Sequence, residues 1–182
     1  MKIYKGRPQD SSHIIQPEED AVYDFLEKLG IEFQTLIHPA AFTMEECEKV
    51  RREIGIPFFK NLFLTNKQQT QFYLLITPHD KQFKTKYLSS QIGCSRLSFA
   101  SPKHMKDLLN ILPGAVSPMG LIHDKQKRIK FLIDKDLSKV DVYACHPCVN
   151  TASIILSFSD LISKVIPATD HMVTWVELPS GE

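Results

Sequence analysis

Apolar side chains recur with two periodicities along the first part of the chain, one typical of a helix and one typical of a strand. From Pro17 to Gly30 they return at helical spacing, with acidic residues at the start and a glycine at the end, which predicts an amphipathic helix. Residues 31–37 show an imperfect alternation and predict a strand. The segment from Thr43 to Glu46 matches a capping box and predicts a second helix that ends near Gly55.

The rest of the chain alternates short apolar runs with turn and helix-start signals. They first predict two strands joined by a hairpin, at 61–65 and 71–77, followed by helices at 85–93 and from Ser101. Over 119–134 they predict a strand, a charged turn and a second strand. The remaining predicted elements are strands at 140–144 and 151–157, a short helix from Ser159 and a last strand at 172–178. Hairpins and scattered helices in this order predict an α/β protein with a mixed sheet, rather than a doubly wound parallel one.

The composition indicates one compact domain. Of 182 residues, 43% are apolar, so we assign residues 17–182 to a single domain and the polar residues 1–16 to a tail or an edge segment. No run approaches the roughly 18 apolar residues of a membrane span, and the first residues lack the apolar middle of a signal peptide. We therefore expect a cytoplasmic protein with no membrane partner, in which the four cysteines are reduced thiols.

The overall charge is nearly balanced, with 22 basic and 21 acidic side chains and a formal net charge of +1. This charge neither indicates nor excludes a nucleic-acid partner, because a protein that grips one end of an RNA needs only a local basic patch. Two groups of cations are candidates for such a patch, although each is equally well interpreted as a solvated surface: Lys125, Lys127, Arg128 and Lys130, and Lys81, Lys84 and Lys86.

A lysine and an asparagine, Lys60 and Asn61, interrupt two apolar runs in the segment FFKNLFL. One interpretation is an edge residue whose ammonium reaches solvent while its stem packs on apolar surface. The other is a positive charge held at the mouth of a cleft, facing a phosphate or a developing oxyanion. The residues themselves leave both interpretations open.

A glycine and proline cluster follows at Gly114, Ala115, Val116, Ser117 and Pro118. One interpretation is a plain turn. The other is a rigid loop whose backbone N–H and C=O groups face a ligand, because glycine permits close approach and proline restricts the exit of the chain.

A C-x-x-C pattern, Cys145 to Cys148, surrounds His146 and suggests a redox pair or half of a zinc site. Zinc needs about four ligands, however, and the sequence has no second C-x-x-C and no H-x₃-H. A redox pair would precede a long helix, whereas the following segment predicts a strand. We therefore favour the interpretation in which His146, Asn150 and Thr151 project from a corner between two strands into one pocket.

In their combination and order, these segments resemble the YbaK/prolyl-tRNA-synthetase-associated editing domain family, and within it the free-standing prolyl-tRNA deacylases known as PrdX or ProXp-ala. The resemblance runs from about Pro17 to His171 and includes HPAAFTMEE (38–46), KNLFL (60–64), LSFAS (97–101), PGAVSP (113–118) and HPCVNTAS (146–153). It implies a curved mixed sheet with helices packed around it. It also implies hydrolysis of the ester that joins an amino acid to the terminal adenosine of tRNA.

The resemblance further implies which residues line the site. The matching positions are Lys60, the loop Gly114–Pro118 and His146, so we expect Lys60 and His146 to be catalytic. We expect the loop, with Asn61, Asn150 and Thr151, to bind the substrate, and we expect no metal and no cofactor. The thiols of Cys145 and Cys148 do not belong to the family motif, so we expect them to be incidental.

The selection of one amino acid over another follows from size. A synthetase that activates proline cannot fully exclude the smaller alanine, because a missing methylene is worth only about 1–3 kcal/mol. A separate small pocket would accept alanine and reject proline. Candidate lining residues are Phe33, Phe42 and Met44, whose spacing is equally compatible with simple core packing.

We therefore expect Ala-tRNA(Pro) to be the substrate, bound by the acceptor end of the mischarged tRNA, with a prolyl-tRNA synthetase as a further partner. Two alternatives remain open. One is a deacylase of the same family that acts on Cys-tRNA(Pro) or another mischarged tRNA. The other is a non-catalytic module that binds tRNA or a synthetase.

Overall fold

The computed structural model describes residues 2–40, 52–53, 55–57 and 59–179. Its strands are β1 (Lys2–Lys5), β2 (Phe33–Ile37), β3 (Phe59–Asn66), β4 (Phe72–Pro78), β5 (Leu97–Phe99), β6 (Ile129–Asp134), β7 (Val142–Cys145), β8 (Ala152–Ser157) and β9 (Val173–Val176). Its α-helices are α1 (Pro17–Lys28), α2 (Thr85–Ile92), α3 (Pro102–His104), α4 (Phe158–Asp160) and α5 (Ile166–Ala168). π-Helical turns follow α3 (Met105–Leu109) and α4 (Leu161–Val165), and 3₁₀ helices lie at Pro118–His123 and Lys135–Lys139.

The strands form two sheets. The first is antiparallel throughout, in the order β1-β2-β8-β7. The second has the order β5-β3-β4-β6-β9 and is mixed, because β4 pairs in parallel with β6, and β6 with β9. The mixed α/β class predicted from the sequence is confirmed, with the strands divided between two sheets.

A single large core fills the space between the two sheets. It joins Tyr143 and Ile154 of the first sheet to Phe63 and Ile76 of the second. A smaller core covers the opposite face of the five-stranded sheet, where Leu88 of α2 packs. Both faces of the second sheet are therefore buried, which explains why its central strand β4 has a continuous apolar sequence rather than an alternating one.

The first 16 residues are held to α1 by polar contacts of Arg7 and His13. Arg7 pairs with Asp20 at 2.6 Å and also contacts Glu27 at 3.0 Å. Glu19, fully buried in the first turn of α1, lies 2.8 Å from Nε2 of His13 and accepts a hydrogen bond from the hydroxyl of Tyr23 at 2.6 Å. These contacts bring β1 to the edge of the first sheet, where it pairs with β2.

Two sequence predictions are wrong, and a third falls mostly on residues that the structure does not describe. The segment 119–134 was predicted as two strands, but its first half is the 3₁₀ helix Pro118–His123, because Ser117 caps its start and proline occupies its first position. Lys81, predicted as an exposed cation, is only 6% exposed and lies 2.8 Å from Asp134. The helix predicted from Thr43 lies mostly outside the described residues.

The other predicted elements are confirmed within a few residues, including the hairpin of β3 and β4 and the N-cap of α3 by Ser101. Among the described residues, no helix is long and apolar enough to cross a lipid bilayer.

We predict that Gly120→Ala destabilises the fold. A Cβ atom at Gly120 would lie 2.7 Å from Cδ1 of Ile111 and 3.0 Å from Cβ of Leu109, both fully buried. Overpacking of this kind typically costs about 1–3 kcal/mol. Urea unfolding should show this loss, whereas Ser98→Ala on the exposed face of β5 should change the free energy of unfolding little. Equal stabilities of the two variants would contradict the tight packing.

Candidate functional site

His146 stands at the corner between β7 and β8, directly after the last residue of β7. Its Nδ1 lies 2.8 Å from the carbonyl oxygen of Ala152. Because a carbonyl only accepts hydrogen bonds, Nδ1 must carry the proton and Nε2 a lone pair. Nε2 has no hydrogen-bond partner among the described residues. The corner therefore presents a hydrogen-bond acceptor of defined orientation.

Burial holds this imidazole in its neutral form. The pKa of His146 is lowered from 6.5 to about 4, mainly by desolvation and to a lesser extent by the neighbouring His38, while the hydrogen bond to the Ala152 carbonyl acts in the opposite direction. A group with so low a pKa is neutral at physiological pH and is a weak base. It is suited to accepting a hydrogen bond from a water, a hydroxyl or an ammonium group.

His38, directly after β2, supports the corner and was not among the predicted site residues. Its backbone N–H donates to the carbonyl of Thr151 at 3.1 Å, its Nδ1 lies 2.8 Å from the carbonyl of Pro39, and its Nε2 lies 2.9 Å from Oγ of Ser153. Its ring centre is 5.9 Å from that of His146. The sequence offered a signal, since His38 opens the HPAAFTMEE segment, but its pairing with β8 is visible only in the fold.

The Gly114–Pro118 loop turns its side chains inward. Ala115 is 3% exposed, and Val116 packs against the large core. Ser117 is fully buried, where its hydroxyl accepts from the backbone N–H of Met119 at 3.2 Å. Only backbone groups of the loop are therefore left to face a ligand. The N–H groups of Val116 and Ser117 have no hydrogen-bond partner among the described residues.

Gly114 joins this loop to the His146 corner. Its φ of +90° lies in a region that residues with a side chain rarely adopt. A Cβ atom at Gly114 would lie 3.7 Å from Nδ2 of Asn150, so the Asn150 amide lies directly beside the loop backbone. The structure thus places Asn150, which lies between His146 and Thr151 in the corner and is the neighbour of Thr151 in sequence, against the Gly114–Pro118 loop.

Asn61, on β3 of the second sheet, contacts β7 three residues before His146. The hydroxyl of Tyr143 donates to Oδ1 of Asn61 at 2.6 Å, and burial raises the pKa of Tyr143, so that this hydroxyl keeps its proton. The Nδ2 group of Asn61 has no partner among the described residues and remains available as a donor. The ring of Phe59 lies 5.0 Å from that of Tyr143, which places the start of β3 against β7.

Lys60 lies on the opposite face of β3 from Asn61, because successive side chains of a strand alternate between faces. Its Nζ donates to the carbonyl of Lys81 at 2.7 Å. No carboxylate of the described residues pairs with Lys60. Among the described residues no contact brings its ammonium to His146, although Lys60 is adjacent to Asn61 in the strand.

The predicted selectivity residues are only partly visible. Phe33 is 6% exposed and its ring stacks on Tyr23 at 5.8 Å, within the large core. Phe42 and Met44 lie outside the described residues.

The two thiols of the C-x-x-C pattern are buried in the large core. Burial raises the pKa of Cys145 to about 12 and also raises that of Cys148. Both thiols therefore stay protonated, which is the unreactive form. Over the described ranges, no three His, Cys, Asp or Glu side chains group closely enough to hold a metal ion.

Comparison with known proteins identifies the class. The family model of the aminoacyl-tRNA editing domain matches residues 38–164, a range that includes both histidines and the loop. The chain is 34% identical over 160 residues to the prolyl-tRNA editing protein ProX of Acetoanaerobium sticklandii, covering 88% of this chain and 97% of that protein. It is 31% identical over 148 residues to prolyl-tRNA synthetase associated domain-containing protein 1 of Mus musculus, covering 79% and 86%.

A solved structure of a candidate trans-editing enzyme for prolyl tRNA synthetase has the same fold, with a TM-score of 0.69 at 19% identity over 92% of this chain and 100% of that one. Fold and sequence together define an aminoacyl-tRNA editing protein, a hydrolase that deacylates tRNA. The chain belongs to the aminoacyl-tRNA editing domain family, as the motifs of the sequence indicated.

We predict that His146 makes the stability of the protein depend on pH. Its pKa is about 4 when folded and near 6.5 when unfolded, so the unfolded chain binds more protons between these values and stability falls as the pH drops from 6.5 towards 4. This contribution is at most about 1.4 kcal/mol per pH unit. Urea unfolding at several pH values should show a shallower loss for His146→Asn, which keeps a donor for the Ala152 carbonyl. Parallel curves for the variant and the unmodified protein would disprove the linkage.

Proposed function

We propose that this protein hydrolyses the ester of mischarged tRNA(Pro), and above all that of Ala-tRNA(Pro). The observation that carries the proposal is the 34% identity to a prolyl-tRNA editing protein along 97% of that protein's length. The geometry of the His146 corner supports it, because a neutral acceptor and a loop with unpartnered backbone donors suit the hydrolysis of an activated ester. We place this activity in the cytoplasm and in residues 17–182, acting as one domain.

The Gly114–Pro118 loop would stabilise the transition state. Attack of water on the ester carbonyl places a negative charge on the carbonyl oxygen. Two successive N–H groups, those of Val116 and Ser117, lack partners among the described residues and are suited to receive that charge. One well-placed donor of this kind is typically worth about 3–4 kcal/mol. The carbonyl groups of the same loop would hold the α-ammonium of the amino acid.

His146 would orient the attacking water rather than remove a proton from it. With a pKa of about 4, its Nε2 is too weak a base to remove a proton from water efficiently, but it accepts a hydrogen bond at any pH above that value. An aminoacyl ester is already activated, so an oriented water, assisted by the neighbouring ribose hydroxyl, would be sufficient. His38 and Ser153 would keep the corner in place behind His146. This route requires neither a metal nor a cofactor.

Asn61 would bind the terminal adenosine directly, whereas Lys60, on the opposite face of β3, would reach it by extending around the start of the strand. The free Nδ2 group of Asn61, oriented by Tyr143, would donate to the ribose or the ester. The Lys60 ammonium would exchange the Lys81 carbonyl for a phosphate or for the developing oxyanion. Its four-carbon stem is flexible enough for such a movement. Asn150 and Thr151 would complete the wall of the pocket beside Gly114.

The amino acid would be selected by its size, in a pocket lined by Phe33, Phe42 and Met44. This pocket would accept alanine in preference to proline. A prolyl-tRNA synthetase would then supply the mischarged tRNA as a partner.

A panel of charged tRNAs tests this function. We expect rapid hydrolysis of Ala-tRNA(Pro), while Pro-tRNA(Pro) is spared. Cys-tRNA(Pro) in the same assay tests the alternative specificity, and binding without hydrolysis of any substrate would favour a non-catalytic module. Cleavage of Pro-tRNA(Pro) as fast as Ala-tRNA(Pro) would refute the size argument.

Lys60→Ala tests the role of the ammonium. As a site residue, its loss should lower the single-turnover deacylation rate by on the order of 100-fold, the effect of one lost electrostatic contact, while the protein stays folded. The matched control is Lys67→Ala, an exposed lysine in the turn after β3, which should have no effect. Lys60→Arg should restore little activity, because a planar guanidinium does not replace a compact ammonium. Near-normal deacylation by folded Lys60→Ala protein would remove Lys60 from the mechanism.

A further inference from the structure

We propose that a second cleft, at the far end of the 3₁₀ helix Pro118–His123, binds a backbone phosphate of the tRNA acceptor strand. The inference rests on the proposed function, because it supplies the subsite that would hold the RNA beyond its terminal adenosine. The cavity measures about 290 Å³ and is lined by residues that include Asp107, His123, Asp124, Lys125 and Arg128. We call it the His123 cleft.

The two carboxylates in the wall of the His123 cleft are already occupied. Asp107 pairs with Lys103 one helical turn earlier. Asp124 accepts hydrogen bonds from the backbone N–H groups of Arg128 at 3.1 Å and Ile129 at 2.8 Å, and its Oδ2 lies 3.0 Å from Nε2 of His171. Neither acid is therefore free to neutralise the cations of the cleft.

The two cations of the cleft, Lys125 and Arg128, have no carboxylate partner among the described residues. The guanidinium of Arg128 lies 5.1 Å above the centre of the buried Phe72 ring, a contact that restricts its orientation. A planar guanidinium presented in this way can form two parallel hydrogen bonds to a phosphate. The cleft thus carries a surplus of positive charge with a geometry suited to a phosphodiester.

His123 supplies the observation that separates this cleft from an ordinary basic surface. Its Nε2 is buried and has no hydrogen-bond partner among the residues that the structure describes. Buried polar atoms are nearly always paired, so an orphaned imidazole nitrogen beside two free cations indicates a missing ligand atom. A turn of the imidazole about its Cβ–Cγ bond would bring this nitrogen to the cleft, where a phosphate oxygen would accept a hydrogen bond from it while the cations balance the phosphate charge.

The position of the cleft fits an RNA strand that leaves the ester site. The 3₁₀ helix begins at Pro118, beside the backbone donors of the loop, and ends at His123. At a rise of roughly 2.0 Å per residue, the two ends lie about 10 Å apart. A stacked strand advances about 3.4 Å per nucleotide, so the cleft would meet a phosphate about three nucleotides from the terminal adenosine.

A larger cleft beside Trp175 is a weaker candidate for the same role. It has a volume of about 500 Å³ and includes Lys127, but that lysine pairs with Asp170 at 3.5 Å and donates to the carbonyl of Thr169 at 2.6 Å. The charge of Lys127 is therefore already engaged, and the other lysine of this cleft, Lys130, lies over the Tyr73 ring at 5.9 Å.

Arg128→Ala and His123→Leu test the proposal, with Lys135→Ala as the matched control. Arg128 precedes β6 and Lys135 follows it, and Lys135 is paired with Glu177 outside the cleft. For Arg128→Ala we expect the half-saturating concentration of Ala-tRNA(Pro) to rise about tenfold, the effect of one lost charged hydrogen bond. The logarithmic dependence of binding on salt should also become shallower by about 0.7–0.9. Lys135→Ala should change neither quantity.

Two further measurements separate binding from structure. His123→Leu should weaken tRNA binding without lowering the melting temperature, because it removes an unpaired buried nitrogen. Alanyl-adenosine has no acceptor-stem phosphates, so the loss for tRNA should exceed the loss for alanyl-adenosine by at least about fivefold if the contact is to a phosphate.

The proposal is overturned if Arg128→Ala leaves the half-saturating concentration and the salt dependence unchanged, or if both substrates lose activity equally. Should the unmodified protein hydrolyse neither substrate, the proposed function fails instead. Fluorescence anisotropy with uncharged tRNA(Pro) still tests the cleft in that case, with the same expected order of the variants. Binding that is equal for Arg128→Ala and Lys135→Ala would then refute the subsite by itself.

Discussion

The hydrogen bond from Tyr143 to Asn61 holds the site together across the core. Tyr143 belongs to the first sheet and Asn61 to the second, and their contact of 2.6 Å is partly buried between the sheets. A buried hydroxyl without an acceptor would be costly, so this bond specifies how the two sheets align at the end nearest the site. The apolar packing of Phe59 against the same ring adds to that alignment. The His146 corner begins three residues after Tyr143, so the contacts of Tyr143 with Asn61 and Phe59 also determine where the corner lies relative to β3.

Desolvation gives this corner its chemical character. An exposed histidine would be partly charged near neutral pH and would repel an α-ammonium group. Burial and the adjacent His38 keep His146 neutral, and the Ala152 carbonyl selects the tautomer whose lone pair is free. The same burial that raises the pKa of Cys145 makes its thiol inert. One environment thus produces an available acceptor and an unreactive neighbour within two positions of the chain.

Local patterns in the sequence were sufficient for most elements and for the identity of the site segments. The helix-start signals at Pro17 and Ser101 and the hairpin of β3 and β4 depend only on neighbouring residues, and these predictions are confirmed. Strand alternation would also have placed Lys60 and Asn61 on opposite faces. The pairing of Lys81 with Asp134, 53 residues away, has no local signature, and neither has the contact of His38 with Ser153. Such contacts depend on the order of strands in the sheets.

The wide spacing of the site residues along the chain has a consequence for folding. His38 and Ser153 are separated by 115 positions, and the loop at Gly114 lies between them in sequence. Contacts this distant close large loops, whose entropy must be overcome before any stabilisation is gained, so they form late. Hairpins such as β3 and β4 form early and contain no complete site. A partly folded or newly made chain therefore carries no assembled hydrolase. Only molecules whose two sheets have already packed against each other can hydrolyse an aminoacyl ester.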